Sequence, residues 1–370
     1  MSESIIDTVA LKEAEASAVA SRGLAPSETP VEEFKKARLF NPEGTDELTE
    51  RKLIGGNSTN LIQLNNTRYK WATSLKKTMY ANFWIPEKNS LQNDRFDQLS
   101  DDQKETFTGI LSFLIFLDSI QTANVPNIAD YITAPEVKML LAIQTFQEAI
   151  HADSYQYIIE SVIPRDLRDG IYDRWRDDKV LFERNKLIAG EFQSFLDNPT
   201  EQGFKRVLIA NYLLEGLYFY NGFQFFYLLA AQGAMTGASR IIKLINKDEL
   251  THVTLFRNII LDIFTEDDHE WVVEMTKKAV EQEVTWAHHI IGDRILGMDK
   301  KSCEHYTKHL ANRRLIGIKI DPIYEGVDEN PYRHLEERAD MHGEGNAKGG
   351  FFTDSAAYNQ SNAVGGFDKF

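Results

Sequence analysis

Two short segments carry the same pairing of an acid and a histidine three residues apart. Glu148 and His151 lie in FQEAIHADSY, and Glu249 and His252 lie in NKDELTH. Because each residue of an α-helix turns by about 100°, this spacing places both side chains on one face, roughly 60° apart. Carboxylate and imidazole groups side by side are typical ligands of iron and manganese. Both segments are therefore candidate halves of a metal site.

The spacing alone is weak evidence, because the chain contains a third match. Glu266 and His269 are also three residues apart, in TEDDHE. That stretch is acidic and reads as a solvated helix start, whereas apolar residues surround the first two pairs. We therefore exclude the third pair as a metal site.

Two further acids interrupt strongly apolar segments: Asp118 in SFLIFLDSIQ and Glu215 in IANYLLEGLYFY. A single such acid is more often a rim residue or half of a salt bridge, because buried acids are rare unless paired. Four carboxylates buried together would have to take up protons or bind cations. Two divalent cations balance four carboxylates. The predicted metal ligands are Asp118, Glu148, His151, Glu215, Glu249 and His252.

Helices must position these residues. Apolar residues recur at three- and four-residue spacing through the segments that hold the ligands, and strand-like alternation is scarce. The sequence predicts an all-α bundle. The helical segments are 107–121, 137–163, 204–229 and 238–264.

The composition divides the chain into three parts. Residues 1–65 are polar and predict an N-terminal tail and lead-in, and residues 66–318 predict the helical domain. Residues 319–370 turn polar and glycine-rich, which predicts a flexible C-terminal tail that docks on a partner through its aromatic end.

Charge and cysteine content narrow the function classes. The net charge is −15, which argues against nucleic acid or an anionic membrane surface as a partner. The single cysteine, Cys303, excludes an intramolecular disulfide and a thiolate metal cluster, and no secretory signal is visible, so we expect a cytoplasmic protein. The uncharged stretch 216–239 could span a bilayer. Its many Tyr and Phe, with polar amides among them, favour a buried bundle helix.

Two acids plus two Glu-x-x-His pairs, all on helices, are the ligand pattern of ferritin-like di-metal bundles. The segments LDSIQ, EAIHADSY, LLEGLYFY and RIIKLINKDELTH resemble the small (beta) subunit of class I ribonucleotide reductase. The resemblance runs from about Trp84 to His252, and more weakly to the C-terminus. It implies that the six predicted ligands hold two metal ions: di-iron, di-manganese or mixed.

The resemblance also assigns a role to Tyr155, one turn after the first histidine. In the family this tyrosine is oxidised to a stable radical, inside an apolar pocket that Phe219, Phe223 and Ile245 match here. Some relatives instead store the oxidising equivalent on the metals, so metal identity and the storage site stay open. On residues alone, Tyr155 could equally be a packing tyrosine.

Three more positions match the family's radical-transfer path: Trp84, Asp248 and, in the tail, Tyr358. The resemblance implies a homodimer that charges its centre with oxygen or a derived oxidant. It then passes the oxidising equivalent to a separate large subunit, which reduces ribonucleotides to deoxyribonucleotides. A flavoprotein activator is a further partner that the resemblance allows.

Two other functions remain at this stage. A di-metal oxidase or monooxygenase on the same bundle would act directly on an apolar substrate in an open pocket beside the metals. A ferritin-like storage or scaffold protein would only bind metal. Neither gives a role to Trp84, Asp248 or the aromatic tail.

Overall fold

The computed structural model describes residues 34–63 and 65–341, and over these ranges the protein is built almost wholly from α-helices. Three short 3-10 turns also occur, at Pro86–Lys88, Phe96–Gln98 and Glu266–Asp268. No β-strand forms among the described residues, which confirms the all-α prediction. The helices are α1 (Lys70–Ala81), α2 (Asp101–Ala129), α3 (Pro135–Val162), α4 (Arg165–Asp177), α5 (Lys179–Asp197), α6 (Glu201–Leu213), α7 (Tyr220–Ala231), α8 (Thr236–Ile263), α9 (His269–Ile290), α10 (Lys300–Gly317) and α11 (Arg333–Met341).

The longest helices begin at clear sequence signals. Ser100 and Gln103 form a capping box at the start of α2, each side chain bonding the other's backbone N–H. Pro135 occupies the first turn of α3, where its missing N–H costs nothing. Helices α2 and α3 pack against each other, which brings Asp118 and the first Glu-x-x-His pair together.

The segment between α6 and α7 is the most deeply buried part of the bundle. Every residue from 207 to 229 is buried. A five-residue π-helical turn, Leu214–Tyr218, joins the two α-helices and carries Glu215. Such turns insert one extra residue into a helix and are frequent at functional sites. The helix predicted over 204–229 is therefore present but interrupted.

The uncharged stretch 216–239 is not one continuous helix. Helix α7 ends at Ala231, and Gly233 and Met235 then adopt left-handed backbone angles, with φ of 80° and 50°, before α8 begins. Among the described helices only α2 is long and apolar enough to cross a membrane by length and composition, and 61 % of its most apolar stretch is buried.

Packing continues beyond both boundaries predicted for the tails. Arg51 is buried and pairs with Glu136 at 3.2 Å. In α11, Glu336 is 2 % exposed and accepts hydrogen bonds from Gln224 (2.8 Å) and Tyr306 (2.9 Å). These partners are remote in the sequence, which is why composition alone indicated a tail. The division at residues 65 and 318 stays a prediction, but residues 331–338 pack on the bundle.

Candidate metal centre

The six predicted ligands come from four helical segments, and every one of them is 0 % exposed. Helix α2 carries Asp118, the π turn carries Glu215, and α3 and α8 each carry one Glu-x-x-His pair. The segments lie far apart in the sequence, so only the folded bundle brings the six side chains together.

The six residues form two overlapping groups of four, in each of which the candidate ligand atoms lie within 4.8 Å of one another. The two groups share Glu148 and Glu249. The first group is completed by Asp118 and His151, and the second by Glu215 and His252. Such a set would hold two metal ions, one at each group, with the two shared acids within reach of both.

Both histidines turn the same ring nitrogen toward the shared acids. His151 Nδ1 lies 3.0 Å from Glu249 Oε1 and 3.5 Å from Glu148 Oε2. His252 Nδ1 lies 2.8 Å from Glu249 Oε2 and 3.3 Å from Glu148 Oε1. The arrangement is pseudo-symmetric, with one imidazole on each side of the two carboxylates.

The outer nitrogen of His151 faces a second carboxylate. His151 Nε2 lies 3.3 Å from Asp248 Oδ2, and Trp84 Nε1–H donates to the same oxygen at 2.8 Å. The rings of Trp84 and His151 lie 6.2 Å apart, centroid to centroid, at 22°. The structure thus connects Trp84 and Asp248, two of the three residues predicted for the transfer path, to the candidate ligand His151.

Side-chain amides that the sequence analysis missed surround Glu215. Its Oε1 accepts hydrogen bonds from Gln121 (2.6 Å), Gln144 (2.9 Å) and Asn211 (3.2 Å). Three donors on one oxygen leave the other, Oε2, to face His252 at 3.6 Å. Each amide lies three or four residues from a predicted ligand, a spacing that could have indicated it: Gln121 follows Asp118, Gln144 precedes Glu148 and Asn211 precedes Glu215.

Two arginines hold the π turn that carries Glu215. Arg314 Nε donates to the Gly216 carbonyl at 2.8 Å, and Arg184 Nη2 donates to the Tyr218 carbonyl at 2.6 Å. A Cβ at position 216 would lie 2.5 Å from Arg314 Nε, so a larger residue there would displace this buried arginine. The two arginines thus donate to backbone carbonyls at the point where the regular helical hydrogen-bond pattern changes.

Burial and mutual repulsion shift the pKa values of the acidic side chains in the metal-free protein. Burial, and then the charge of Glu148, raise the pKa values of Asp118 and Glu215 well above the ordinary range. Burial also raises the pKa of Glu249 to about 8, although His151 opposes the shift. Glu148 differs, because the two histidines outweigh its burial and lower its pKa. Without cations, Glu249 therefore favours its protonated form at neutral pH, and the pKa values of Asp118 and Glu215 shift in the same direction.

Several cluster atoms have no hydrogen-bond partner although they are fully buried. Buried polar atoms are normally paired, so a cluster of unpaired donor atoms signals a bound ion or water. The charge and the oxygen–imidazole set fit two divalent ions of the iron or manganese type. The unpaired atoms are both carboxylate oxygens of Asp118, Glu148 Oε2, Glu215 Oε2, Glu249 Oε1 and His151 Nδ1.

Tyr155 is 0 % exposed on α3, one turn beyond His151. Its hydroxyl makes no hydrogen bond of ordinary length, and burial, followed by the charge of Asp118, raises its pKa well above the usual value. Phe219, Phe223 and Ile245 are all fully buried. Phe219 and Phe223 follow Glu215 by four and eight residues, a spacing that shares one face in an α-helix but not across the π turn that carries Glu215.

Tyr358, and the aromatic end of the tail, lie outside the described residues. The third Glu-x-x-His pair is excluded by its position: Glu266 is exposed, and His269 is only partly buried, at the start of α9. Neither belongs to the two groups of candidate ligands found among the residues described.

Comparison with known proteins decides between the candidate functions. The family described as "Ribonucleotide reductase, small chain" matches residues 61–331. The chain is 41 % identical over 307 residues to the ribonucleoside-diphosphate reductase subunit beta of Treponema pallidum, covering 80 % of this chain and 88 % of the relative. The chain belongs to the ribonucleotide reductase small-chain family.

Other members support the assignment. The beta subunit of Halalkalibacterium halodurans is 33 % identical over 349 residues, covering 92 % of this chain and all of the relative. The solved ribonucleotide reductase R2 subunit from Clostridium botulinum superposes with a TM-score of 0.79 at 45 % identity, covering 82 % of this chain and 98 % of that one. The predicted ferritin-like fold, the reductase activity as small subunit and the two-metal cofactor are thereby confirmed. Membership in this ribonucleotide reductase family implies a large subunit as partner and a dimer.

Proposed function

We propose that the six clustered residues hold two metal ions and that Tyr155 or the metal pair stores the oxidising equivalent of the reductase. The observation that carries this proposal is the sharing of Glu148 and Glu249 between two groups of unpaired, inward-facing donors. Asp118 and His151 would complete one metal position in this arrangement. Glu215 and His252 would complete the other.

Bound there, the metals supply the one-electron oxidising power of the centre. The chain's own residues then determine where the oxidising equivalent rests. Full burial of Tyr155 keeps water and reductants away from the phenol, and the raised pKa keeps its proton in place until an electron leaves. The loss of the electron and the loss of the proton are therefore coupled at the phenolic oxygen of Tyr155.

We propose that the oxidising equivalent leaves through His151, Asp248 and Trp84. The bonds of 3.3 and 2.8 Å to Asp248 Oδ2 join the candidate metal ligand to an indole that lines a surface cavity. Tyr358 would continue the path to the large subunit. The expected setting is a homodimer in the cytosol, and a flavoprotein activator is a further partner to test.

The direct-oxidase alternative needs an open substrate pocket at the metals. An apolar cavity of about 560 Å³ lies beside Trp84, Phe83 and Phe146, with Gln147 and Asp248 in its wall. None of the six candidate ligands is among the described residues that line it. The cavity therefore reaches the hydrogen-bonded partners of the histidines and gives a substrate no contact with the ligands.

Electron paramagnetic resonance of the active protein, with elemental analysis, tests the storage site. A sharp organic radical that disappears in Tyr155→Phe supports a tyrosyl radical. A metal-centred signal that survives this substitution, with activity, removes Tyr155 from that role. Tyr157→Phe, on the same helix but hydrogen-bonded to the Asn89 carbonyl at 3.3 Å, is the matched control and should change neither signal.

Mixing with the large subunit tests the reductase function itself. Metal- and oxygen-loaded protein should then form deoxynucleotides, and removal of residues 351–370 should abolish turnover while leaving the metal centre intact. Turnover of a small apolar substrate that is indifferent to this deletion would instead support the direct oxidase.

A further inference from the structure

Gln147 links the two histidines on the side away from the shared acids. It is 4 % exposed and immediately precedes Glu148 on α3. Its Nε2 donates to Asp248 Oδ1 at 3.0 Å, and its Oε1 lies 3.0 Å from His252 Nε2. An unbroken chain of hydrogen bonds therefore runs from His151 through Asp248 and Gln147 to His252.

The direction of this chain follows from the chemistry of its members. An ionised carboxylate only accepts hydrogen bonds, and Asp248 already accepts the Trp84 indole N–H. The amide must therefore turn its NH₂ group to Asp248 and its carbonyl to His252. A carbonyl also only accepts, so His252 must carry a hydrogen on Nε2, and its Nδ1 faces Glu148 and Glu249.

The same carboxylate fixes the other imidazole directly. His151 Nε2 faces Asp248 Oδ2 at 3.3 Å, so it too carries the hydrogen, and Nδ1 faces the shared acids. The two arms differ in one respect. His151 donates to a charged carboxylate, whereas His252 donates to a neutral amide, and a charged acceptor makes an imidazole the more basic ligand.

We propose that Gln147 is a positioning residue that sets the tautomer and ring orientation of His252 and makes the two metal positions unequal in donor strength. The proposal rests on the two-metal centre proposed above. The proposal has a specific consequence. Loss of the amide should weaken metal binding at the position that includes His252. Metal binding at the position that includes His151 should be unchanged, because Asp248 still orients that imidazole.

Gln147→Met is the informative variant, because methionine keeps the side-chain volume and removes both hydrogen bonds. Alanine would instead open the neighbouring cavity to water, which could replace the lost carbonyl. Gln156→Met is the matched control, since Gln156 lies exposed on the same helix. Manganese(II) titration followed by electron paramagnetic resonance reports the affinity of each position.

Gln147→Met should lower the affinity of one manganese position by about 10- to 100-fold and leave the other within a few-fold of the parent protein. Gln156→Met should leave both unchanged. Equal loss at both positions, or no loss at either, overturns the proposal. If the parent protein itself fails to bind two ions, the proposed metal centre is wrong, whatever the variant does.

Nitrogen-15 spectra of histidine-labelled, metal-free protein provide a readout independent of metal. Nε2 of both imidazoles should carry a hydrogen in the parent protein. In Gln147→Met only His252 should lose this preference. If His252 keeps its hydrogen on Nε2 in folded Gln147→Met, the amide carbonyl is not what sets the tautomer.

Discussion

Glu283 and Glu249 are both fully buried carboxylates in one bundle, yet the chain supplies an arginine to balance the charge of only one of them. Glu283 pairs with Arg184, whose Nε and Nη2 lie 2.8 and 2.7 Å from Glu283 Oε2. Burial raises the pKa of Glu283 to about 6, and Arg184 limits that shift. Glu249 has only imidazoles and other acids around it, and its pKa rises to about 8.

Aromatic rings around Arg184 add to the difference between the surroundings of Glu283 and Glu249. Its guanidinium lies 4.3 Å from the ring centroid of Phe113 and 4.6 Å from those of Tyr218 and Trp286. The faces of aromatic rings stabilise a cation where water cannot. The Arg184 region therefore brings its own counter-charge, whereas the metal cluster leaves donor atoms for ions from outside. A buried acid is structural in the first case and functional in the second.

The largest expected effect tests the shared role of Glu249. Glu249→Ala removes a ligand from both candidate groups, so we expect the loss of both metals and of reductase activity. Elemental analysis and the assay with the large subunit measure these losses. Glu266→Ala, in the exposed acid–histidine pair, should retain two ions per chain; a full metal complement in Glu249→Ala would refute the sharing.

Next in size is the stability of the Arg184 region. Arg184→Met leaves Glu283 buried without its cation and should lower the free energy of unfolding by about 3–5 kcal/mol. Lys186→Met, at a side chain that is 63 % exposed, should change it by less than about 0.5 kcal/mol. Urea unfolding measures both. The double variant Arg184→Met with Glu283→Gln should recover part of the loss, and an equally unstable double variant would contradict the charge argument.

The same experiment on the metal cluster should give the opposite result. Burial, and then the charge of Glu148, raise the pKa of Asp118, so the metal-free fold favours the neutral form of this side chain. Asp118→Asn should therefore leave the unfolding free energy of metal-free protein within about 1 kcal/mol of the parent value, or raise it. A loss as large as that of Arg184→Met would mean that Asp118 is stabilised by the chain alone.

The smallest effect is a pH dependence. A carboxyl whose pKa rises to about 8 on folding holds its proton at pH 7, and a metal ion must displace that proton. The metal-free fold therefore loses stability as pH rises from about 4.5 to about 8, the range in which only the unfolded chain is ionised. Metal affinity should increase over the same range. Calorimetric titration at pH 7 in buffers of different ionisation enthalpy should detect a net release of protons on metal binding; no net release would contradict the raised pKa values of the cluster.

The same contrast explains what the sequence could predict. All six clustered residues were visible because acids and histidines interrupt apolar helices at fixed spacing, a pattern local to each helix. The amides were missed for two reasons. Gln121 and Gln144 meet Glu215 only where separate helices cross. Asn211 lies four residues before Glu215 in the same segment, but an amide at that spacing has many structural roles. The π turn and the buried Glu336 of α11 also depend on partners remote in the chain, so periodicity gave neither.

The π turn Leu214–Tyr218 has a consequence for the phase of the helix that contains it. One extra residue rotates everything that follows by about 100° relative to a straight α-helix. Gln224 on α7 reaches Glu336 and Tyr306 only in the rotated phase. Deleting one residue from this turn would bring α7 back into step with α6 and turn Gln224 away from α11. The extra residue that presents Glu215 to the metal centre thus also sets the rotation of α7, and with it the contact between Gln224 and α11.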